Sequence, residues 1–491
     1  MANAVQLVLQ TDLSTSRALI PSLAGDDSGT FLVGAKEVLR TTLTLRRSGL
    51  HLTATFTDNS TQKVERAVEL QASGSTNLLP LLNALAKQID SNSTVFSTKN
   101  DRALQAYLKA ASTNQMQQRV TGLRDALSID PAFGLAYITL AEVDAQAAPA
   151  DLQGLLQTAG SRESSFTPFD RARLNALRVR YSHGPLREQE SALQAVLQIA
   201  PNQPDALVGL GTLGFLSGSA TVGTRYFERA MALNPGNPTV LRAYAEGLIE
   251  TRQFARAEKI LVGLDNNLAV LPELAVCVLL QGDAPRANAV AARLFASIPN
   301  PDLKSLYQGV WLQLSGQTAK ANDLLTSTKF AQPASQAIAY SELSMWQMIA
   351  HNFASARSWA AKAQQIDPRP GTFGSIVGLL VGADGPADHW RQQVDASFLA
   401  ANQPLKEQAL GYGFFLGAHY AEAEQTWNAI LQRSGGADLR ARAMLAAAGR
   451  QEGKTDAARA FNVQPFVPEF GDLYASVSFF EMNRDLGIGV R

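Results

Sequence analysis

The sequence predicts a mainly α protein in which a stack of paired helices follows a small α+β domain. Its 491 residues are 46% hydrophobic and 7% aromatic, and this length and composition favour a helix-rich repeat architecture over one compact core. Apolar residues alternate with polar ones between about residues 38 and 70, which is typical of β-strands. After residue 98, small and large apolar residues recur about every 34 residues, which predicts repeated helical hairpins.

The predicted α+β domain covers residues 1–97. Turns at Ser48-Gly49 and Asp58-Asn59-Ser60 separate the alternating stretches, so we expect an antiparallel meander of three strands. The stretch VQLVLQ near the start is expected to add a strand, and residues 78–89, LLPLLNALAKQI, to form an amphipathic helix. The alternating apolar residues are Leu43, Leu45, Leu50, Leu52, Ala54, Phe56, Val64, Val68 and Leu70.

The repeat pattern is clearest at residues 204–264 and 404–431 and weaker at 302–368. We expect about eight or nine hairpins across 98–465 and a C-terminal capping segment at 466–491. The clearest unit contains Leu207, Leu210, Gly211, Gly218, Phe227, Ala230 and Pro235.

This pattern resembles the tetratricopeptide repeat (TPR), which reads W-x2-L-G-x2-Y…A-x3-F…P. The resemblance implies a TPR-like right-handed α-superhelix, a solenoid in which small residues let two antiparallel helices approach closely and a concave inner face forms. Gly214 and Gly223 stand here where the family has tyrosine and alanine. The N-terminal part resembles the TolB-like module that precedes TPR tails in bacterial multidomain sensors, but no kinase or DNA-binding segment accompanies it in this sequence.

Gly209-x-Gly211-x-x-Gly214 has the spacing of a loop that binds a pyrophosphate. Such a loop follows a buried strand, whereas here the preceding residues, QIAPNQPDA, form a proline-bounded turn. We therefore interpret the three glycines as residues of a repeat helix, with Gly211 at the position where the paired helix approaches. No nucleotide or other cofactor is expected.

The residues that could carry catalysis or bind a metal are few and dispersed. The five histidines have no metal-ligand spacing such as H-E-x-x-H, and no G-x-S-x-G or phosphate-loop motif occurs. Cys277 is the single cysteine and stands in the apolar run AVCVLLQ, so we expect it to be a buried apolar residue. The sequence therefore predicts that the chain is not an enzyme and has no metal site.

Charge and hydropathy limit the classes of partner. Lys plus Arg and Asp plus Glu number 43 each, which gives no overall attraction to nucleic acid or to an anionic membrane. No apolar run approaches the roughly 20 residues that span a bilayer, so we expect no direct membrane insertion. MANAVQLVLQTD lacks the features of a signal peptide, so the location expected as written is cytoplasmic, or periplasmic or envelope if a leader was trimmed.

The TPR resemblance implies that certain first-helix positions of each repeat line a concave groove. At these positions the sequence is largely apolar, which suits an apolar or amphipathic segment of a protein or peptide partner. The residues so assigned are Val208, Thr212, Phe215, Leu216, Arg242, Ile249, Val310, Met345, Met348, Ile349, Tyr412 and Phe415. The alternative is that tight winding of the superhelix, or the N-terminal domain, buries them.

The predicted function is therefore a non-catalytic scaffold that binds a protein or peptide on a repeat surface. The alternative is the sensory or regulatory portion of a bacterial signalling system, with the α+β domain as its recognition module. The sequence does not determine the oligomeric state.

Overall fold

The computed structural model describes residues 2–454, with gaps at 17–35, 47–48, 74–77, 234–236, 265–269, 401–402 and 434–435 and at residues 114, 148, 183, 218 and 437. The capping segment expected at 466–491 and the second helix expected within 441–461 lie outside the described residues. The chain divides into two compact units. Unit 1 is Met1–Leu213 with Thr221–Val240, and unit 2 is Gly214–Ala220 with Leu241–Arg491.

The described residues form three strands and 23 α-helices. The strands are β1 (Glu37–Arg46), β2 (Gly49–Asp58) and β3 (Val64–Ser73). The helices before residue 240 are α1 (Ala2–Leu13), α2 (Leu79–Ile89), α3 (Asp101–Ala111), α4 (Met116–Ile129), α5 (Gly134–Ala147), α6 (Pro149–Ser161), α7 (Pro168–Tyr181), α8 (Leu186–Ile199), α9 (Pro204–Leu216), α10 (Ala220–Leu233) and α11 (Pro238–Glu250).

The later helices are α12 (Phe254–Val262), α13 (Leu271–Leu280), α14 (Ala284–Ser297), α15 (Pro301–Leu314), α16 (Thr318–Ser327), α17 (Pro333–Ile349), α18 (Phe353–Ile366), α19 (Phe373–Leu380), α20 (Ala387–Asp395), α21 (Gln403–Leu416), α22 (Tyr420–Arg433) and α23 (Leu439–Gln451). The predicted fold class, a mainly α protein of repeated helix pairs after a small antiparallel sheet, is confirmed.

The N-terminal sheet is the predicted meander, with strand order β1-β2-β3 and both pairs antiparallel. Every second residue of β2 from Leu50 to Phe56 is buried, as the alternation predicts for a sheet covered on one face. The prediction of a strand at VQLVLQ is wrong, because these residues belong to α1. In α1 the buried apolar residues are Val5, Val8, Leu9 and Leu13, and this spacing places them on one face of a helix.

The core of the N-terminal region continues into the first helix pair. Leu82 of α2 and Leu104 of α3 belong to the same hydrophobic cluster. Phe96, which precedes α3, packs edge-to-face on Phe133, with 5.9 Å between the ring centroids. The boundary predicted at residue 97 therefore does not separate two cores.

Within the repeats, the two helices of a pair meet where one carries a very small residue. A Cβ atom built on Gly211 of α9 would lie 2.6 Å from Cδ2 of Phe227 in α10, closer than real Cβ contacts, so only glycine fits. Gly309 and Gly411 occupy the corresponding positions of α15 and α21. A Cβ atom on Gly309 would lie similarly close to Leu325, and one on Gly411 similarly close to Trp427. The interpretation of Gly209, Gly211 and Gly214 as residues of one repeat helix is thus confirmed.

Ten helix pairs, from α3–α4 to α21–α22, lie within the described residues, and two of them were absent from the repeat pattern. One is α13–α14 and the other is α19–α20. Their first helices, LPELAVCVLL and FGSIVGLL, are apolar on almost every side, so they lack the alternation of small, large and polar residues that marks a repeat. Cys277 of α13 is fully buried as predicted, and its thiol donates to the backbone oxygen of Phe254 at 3.1 Å.

Candidate functional site

Six of the twelve residues assigned to the groove are buried in unit 2. Their side chains are at most 8% exposed, so they form part of the packed interior, and the prediction that they line an open groove is corrected. These six are Phe215, Ile249, Met345, Met348, Tyr412 and Phe415.

Part of the cause is that stretches of two helices of unit 2 are enclosed on all sides. In α17 the six consecutive residues 341–346 are buried, and in α23 the residues 443–448 are buried. Consecutive residues point around a helix, so no side of these stretches faces solvent. Arg442 of α23 donates from Nη1 to the backbone oxygen of Leu216 at 2.6 Å, which joins the last described helix to the first segment of unit 2, Gly214–Ala220.

The other six assigned residues keep solvent exposure. Thr212 and Arg242 are exposed, and Val208, Leu216, Val310 and Ile349 are partly exposed. Arg242 is already engaged, since its Nε lies 3.2 Å from Glu246 Oε1 and its Nη2 contacts Glu273. Val208 and Thr212, both in α9, belong to unit 1.

In unit 1 the first helices of successive pairs lie side by side. The hydroxyl groups of Tyr107 in α3 and Thr139 in α5 are 2.9 Å apart and buried. A Cβ atom on Gly134 at the start of α5 would lie 2.8 Å from Cβ of Asp170 in α7, so these two helices touch through glycine. The helices α3, α5 and α7 thus form one continuous layer.

Glu142 of α5 lies on this layer. Its side chain is exposed to solvent, yet burial among surrounding protein atoms raises the pKa of its carboxyl group. The positive charges of Arg173, Arg180 and Arg119 act in the opposite direction, and the charge of Asp205 raises the pKa further.

The charges that act on Glu142 come from helices on either side of it. Arg173 and Arg180 belong to α7, and Asp205 belongs to α9. Asp205, Val208 and Thr212 are three and four residues apart, so they share one side of α9. We call the surface formed by Glu142, Arg173, Arg180, Asp205, Val208 and Thr212 the first-helix surface of unit 1.

Sequence reasoning missed the arginines of this surface. The segment 167–201 matches the repeat pattern only irregularly, so its residues were not mapped onto groove positions. A usable signal is nevertheless present in RLNALRVRY, because Arg173 and Arg180 stand seven residues apart and therefore on one side of a helix.

No group of three or more His, Cys, Asp or Glu side chains among the described residues could hold a metal ion. No helix within residues 2–454, apart from the gaps given above, is long and apolar enough to cross a membrane.

The helix pairs define the chain as a helical-repeat protein. No protein-family model and no curated protein matches it. Among solved structures it is similar to Naa15/Naa10 bound to HypK-THB, with 11% identity over 74% of this chain and 68% of that chain and a TM-score of 0.25. It is also similar to the TPR domain of P58(IPK), with 13% identity over 72% of this chain and 98% of that chain and a TM-score of 0.19. Because both TM-scores are low, the assignment of the chain as a helical-repeat protein is based on its own helix pairs.

Proposed function

We propose that the chain is a non-catalytic scaffold that binds a protein or peptide through the first-helix surface of unit 1. The observation that supports this most is the continuous layer of first helices, in which Tyr107 bonds to Thr139 and Gly134 touches Asp170 while Glu142 stays exposed. A concave surface on rigid helices is a suitable place for an extended or helical segment of a partner.

The partner segment is amphipathic in this proposal. Val208 and Thr212 offer partly apolar contact on α9, and the arginines of α7 offer hydrogen-bond donors beside it. Partly exposed apolar residues of unit 2, Val310 and Ile349, lie beside its buried core and remain candidates for a second contact. The six buried residues take no part in binding and serve stability.

Site-specific photo-crosslinking tests the proposal. A photoreactive residue replaces Thr212 in the full chain, and in a matched control it replaces Glu228, which is exposed on the second helix of the same pair. We expect a discrete crosslinked protein from position 212 that is absent from position 228. Equal products from both positions, or none from either, would count against binding at this surface.

A second candidate function, recognition by the α+β domain, is favoured by the open face of its sheet. His51, Thr53 and Thr55 of β2 alternate with the buried residues and keep partial exposure. The same crosslinking experiment with the photoreactive residue at position 53 distinguishes the two functions. If the α+β domain is a recognition module, a crosslinked protein should form from position 53.

A further inference from the structure

The arginines around Glu142 differ from the other arginines nearby in having no acceptor. Arg178 in the same helix pairs with Glu163 at 3.4 Å, and Arg124 of α4 lies 4.0 Å from Asp144. Arg119, Arg173 and Arg180 make no ion pair with any described residue, and the Nε of Arg119 is buried without a hydrogen-bond acceptor. A buried donor without an acceptor lowers stability, and an acceptor on a bound partner would remove this cost.

Each of the two arginines of α7 lies near an aromatic ring. The guanidinium carbon of Arg173 stands 5.5 Å from the ring centroid of Phe169, and that of Arg180 stands 5.6 Å from that of Tyr181. Stacking on a ring uses the face of a guanidinium group and leaves the N–H groups at its edge to bind a planar anion. Carboxylate groups match this edge because they accept two parallel hydrogen bonds.

The helices that carry these arginines, α4 and α7, both pack against α5, which carries Glu142. All three act electrostatically on Glu142, and two of them, Arg119 and Arg173, act on Tyr107 as well. Glu142 forms no ion pair with any of them among the described residues. Three guanidinium groups around one carboxyl group leave an excess of positive charge next to the surface on which the partner would dock, even with Asp205 at the far side.

We propose that Arg119, Arg173 and Arg180 bind the carboxylate side chains of an acidic stretch in the protein partner. This inference rests on the proposed function and adds the chemistry of the partner: two or more Asp or Glu residues next to the apolar residues that contact Val208. The affinity of such a segment depends strongly on ionic strength, because the contact lies at the protein surface.

The test uses the full chain and a fluorescein-labelled hexaglutamate peptide, with fluorescence anisotropy as the readout. We expect binding at low salt that weakens at the physiological ionic strength of about 0.15 M. Replacing both arginines of α7 (Arg173→Gln with Arg180→Gln) should weaken binding roughly tenfold or more, since both charge-assisted hydrogen-bond donors are lost. Equal unfolding temperatures of the double variant and the wild type show that the fold is kept.

The matched control is Arg225→Gln. Arg225 is also exposed and also lies over a neighbouring ring, 5.3 Å from the centroid of Tyr226, but it belongs to the second helix α10. This variant should bind the peptide as the wild type does.

Three results would overturn the inference. They are no binding of hexaglutamate at low salt, equal loss of binding in Arg225→Gln, and an oligouridylate that binds more tightly than the peptide through the same two arginines. If hexaglutamate fails while a partner is still crosslinked from position 212 and not from position 228, the acidic stretch is refuted and the scaffold function stands.

Discussion

Gly211 and Phe227 lie so close that any side chain on the glycine would enter the space of the ring. The closest approach of a Cβ atom on Gly211 would be 2.6 Å to Cδ2 and 2.7 Å to Cε2 of Phe227. Phe227 is fully buried, so it has no free space into which it could move. The glycine spacing that resembles a phosphate loop therefore serves the packing of two antiparallel helices.

Gly211→Ala should destabilise the protein by about 1–3 kcal/mol through overpacking, although alanine is the better helix former. Gly154→Ala is the control, because a Cβ atom there meets no atom within 4 Å, and it should be neutral or stabilising by up to about 1 kcal/mol. Urea unfolding followed by circular dichroism measures both. Equal effects of the two substitutions would contradict the packing role of Gly211.

The position of Gly211 was predictable because the contact lies within one repeat. The burial of Met348 was not, because it depends on how the helices of unit 2 enclose one another, and a pattern of 34 residues describes only neighbours. The helix at α1 was mistaken for a strand because VQLVLQ alone is too short to distinguish periods of two and 3.6. The arginines of α7 were missed because their repeat is irregular.

The burial of Met348 predicts a loss of stability on truncation. Met348→Ala removes a fully buried side chain of the unit 2 core and should cost roughly 2–5 kcal/mol. Met116→Ala is the matched control, since Met116 is 42% exposed at the start of α4, and it should change the free energy of unfolding by less than about 0.5 kcal/mol. If Met348→Ala behaves as Met116→Ala does, then Met348 is exposed and the groove prediction for it is restored.

Asp12 of α1 makes the stability of the N-terminal region depend on pH. Its side chain is fully buried, neither carboxyl oxygen has a hydrogen-bond partner among the described residues, and burial raises its pKa to about 8, against the opposing charge of Lys87. The folded form thus holds its proton more tightly than the unfolded chain, whose ordinary value is 3.8. The contribution of Asp12 to the free energy of unfolding is fully present below about pH 4. It is lost between about pH 4 and pH 8, at up to about 1.4 kcal/mol per pH unit.

Asp12→Asn removes this titration, so the variant should gain stability relative to the wild type as the pH rises. The free energies of unfolding of both proteins are compared in urea at pH 5, 7 and 9. A difference between variant and wild type that stays constant across these pH values would show that Asp12 titrates normally.

Removal of residues 1–97 should weaken the first helix pair selectively. Phe96 and the apolar residues of α1 and α2 share a core with Leu104 and Phe133, so the cut exposes apolar surface of α3 and α5. In hydrogen exchange, α3 and α4 of the shortened chain should lose protection, whereas α15 and α16 should keep theirs. Unchanged protection of α3 would mean that the repeats are independent of the N-terminal region.

The affinity of the partner crosslinked at position 212 tests the central claim, that the first-helix surface of unit 1 is the binding surface. Thr212→Trp places a bulky side chain on this surface, and Glu228→Trp places the same side chain on the second helix of the pair, where the residue is equally exposed. Isothermal titration of the purified partner should give a dissociation constant at least about tenfold larger for Thr212→Trp, a loss of about 1.4 kcal/mol, and an unchanged one for Glu228→Trp. Equal dissociation constants for Thr212→Trp and the wild type would contradict the account.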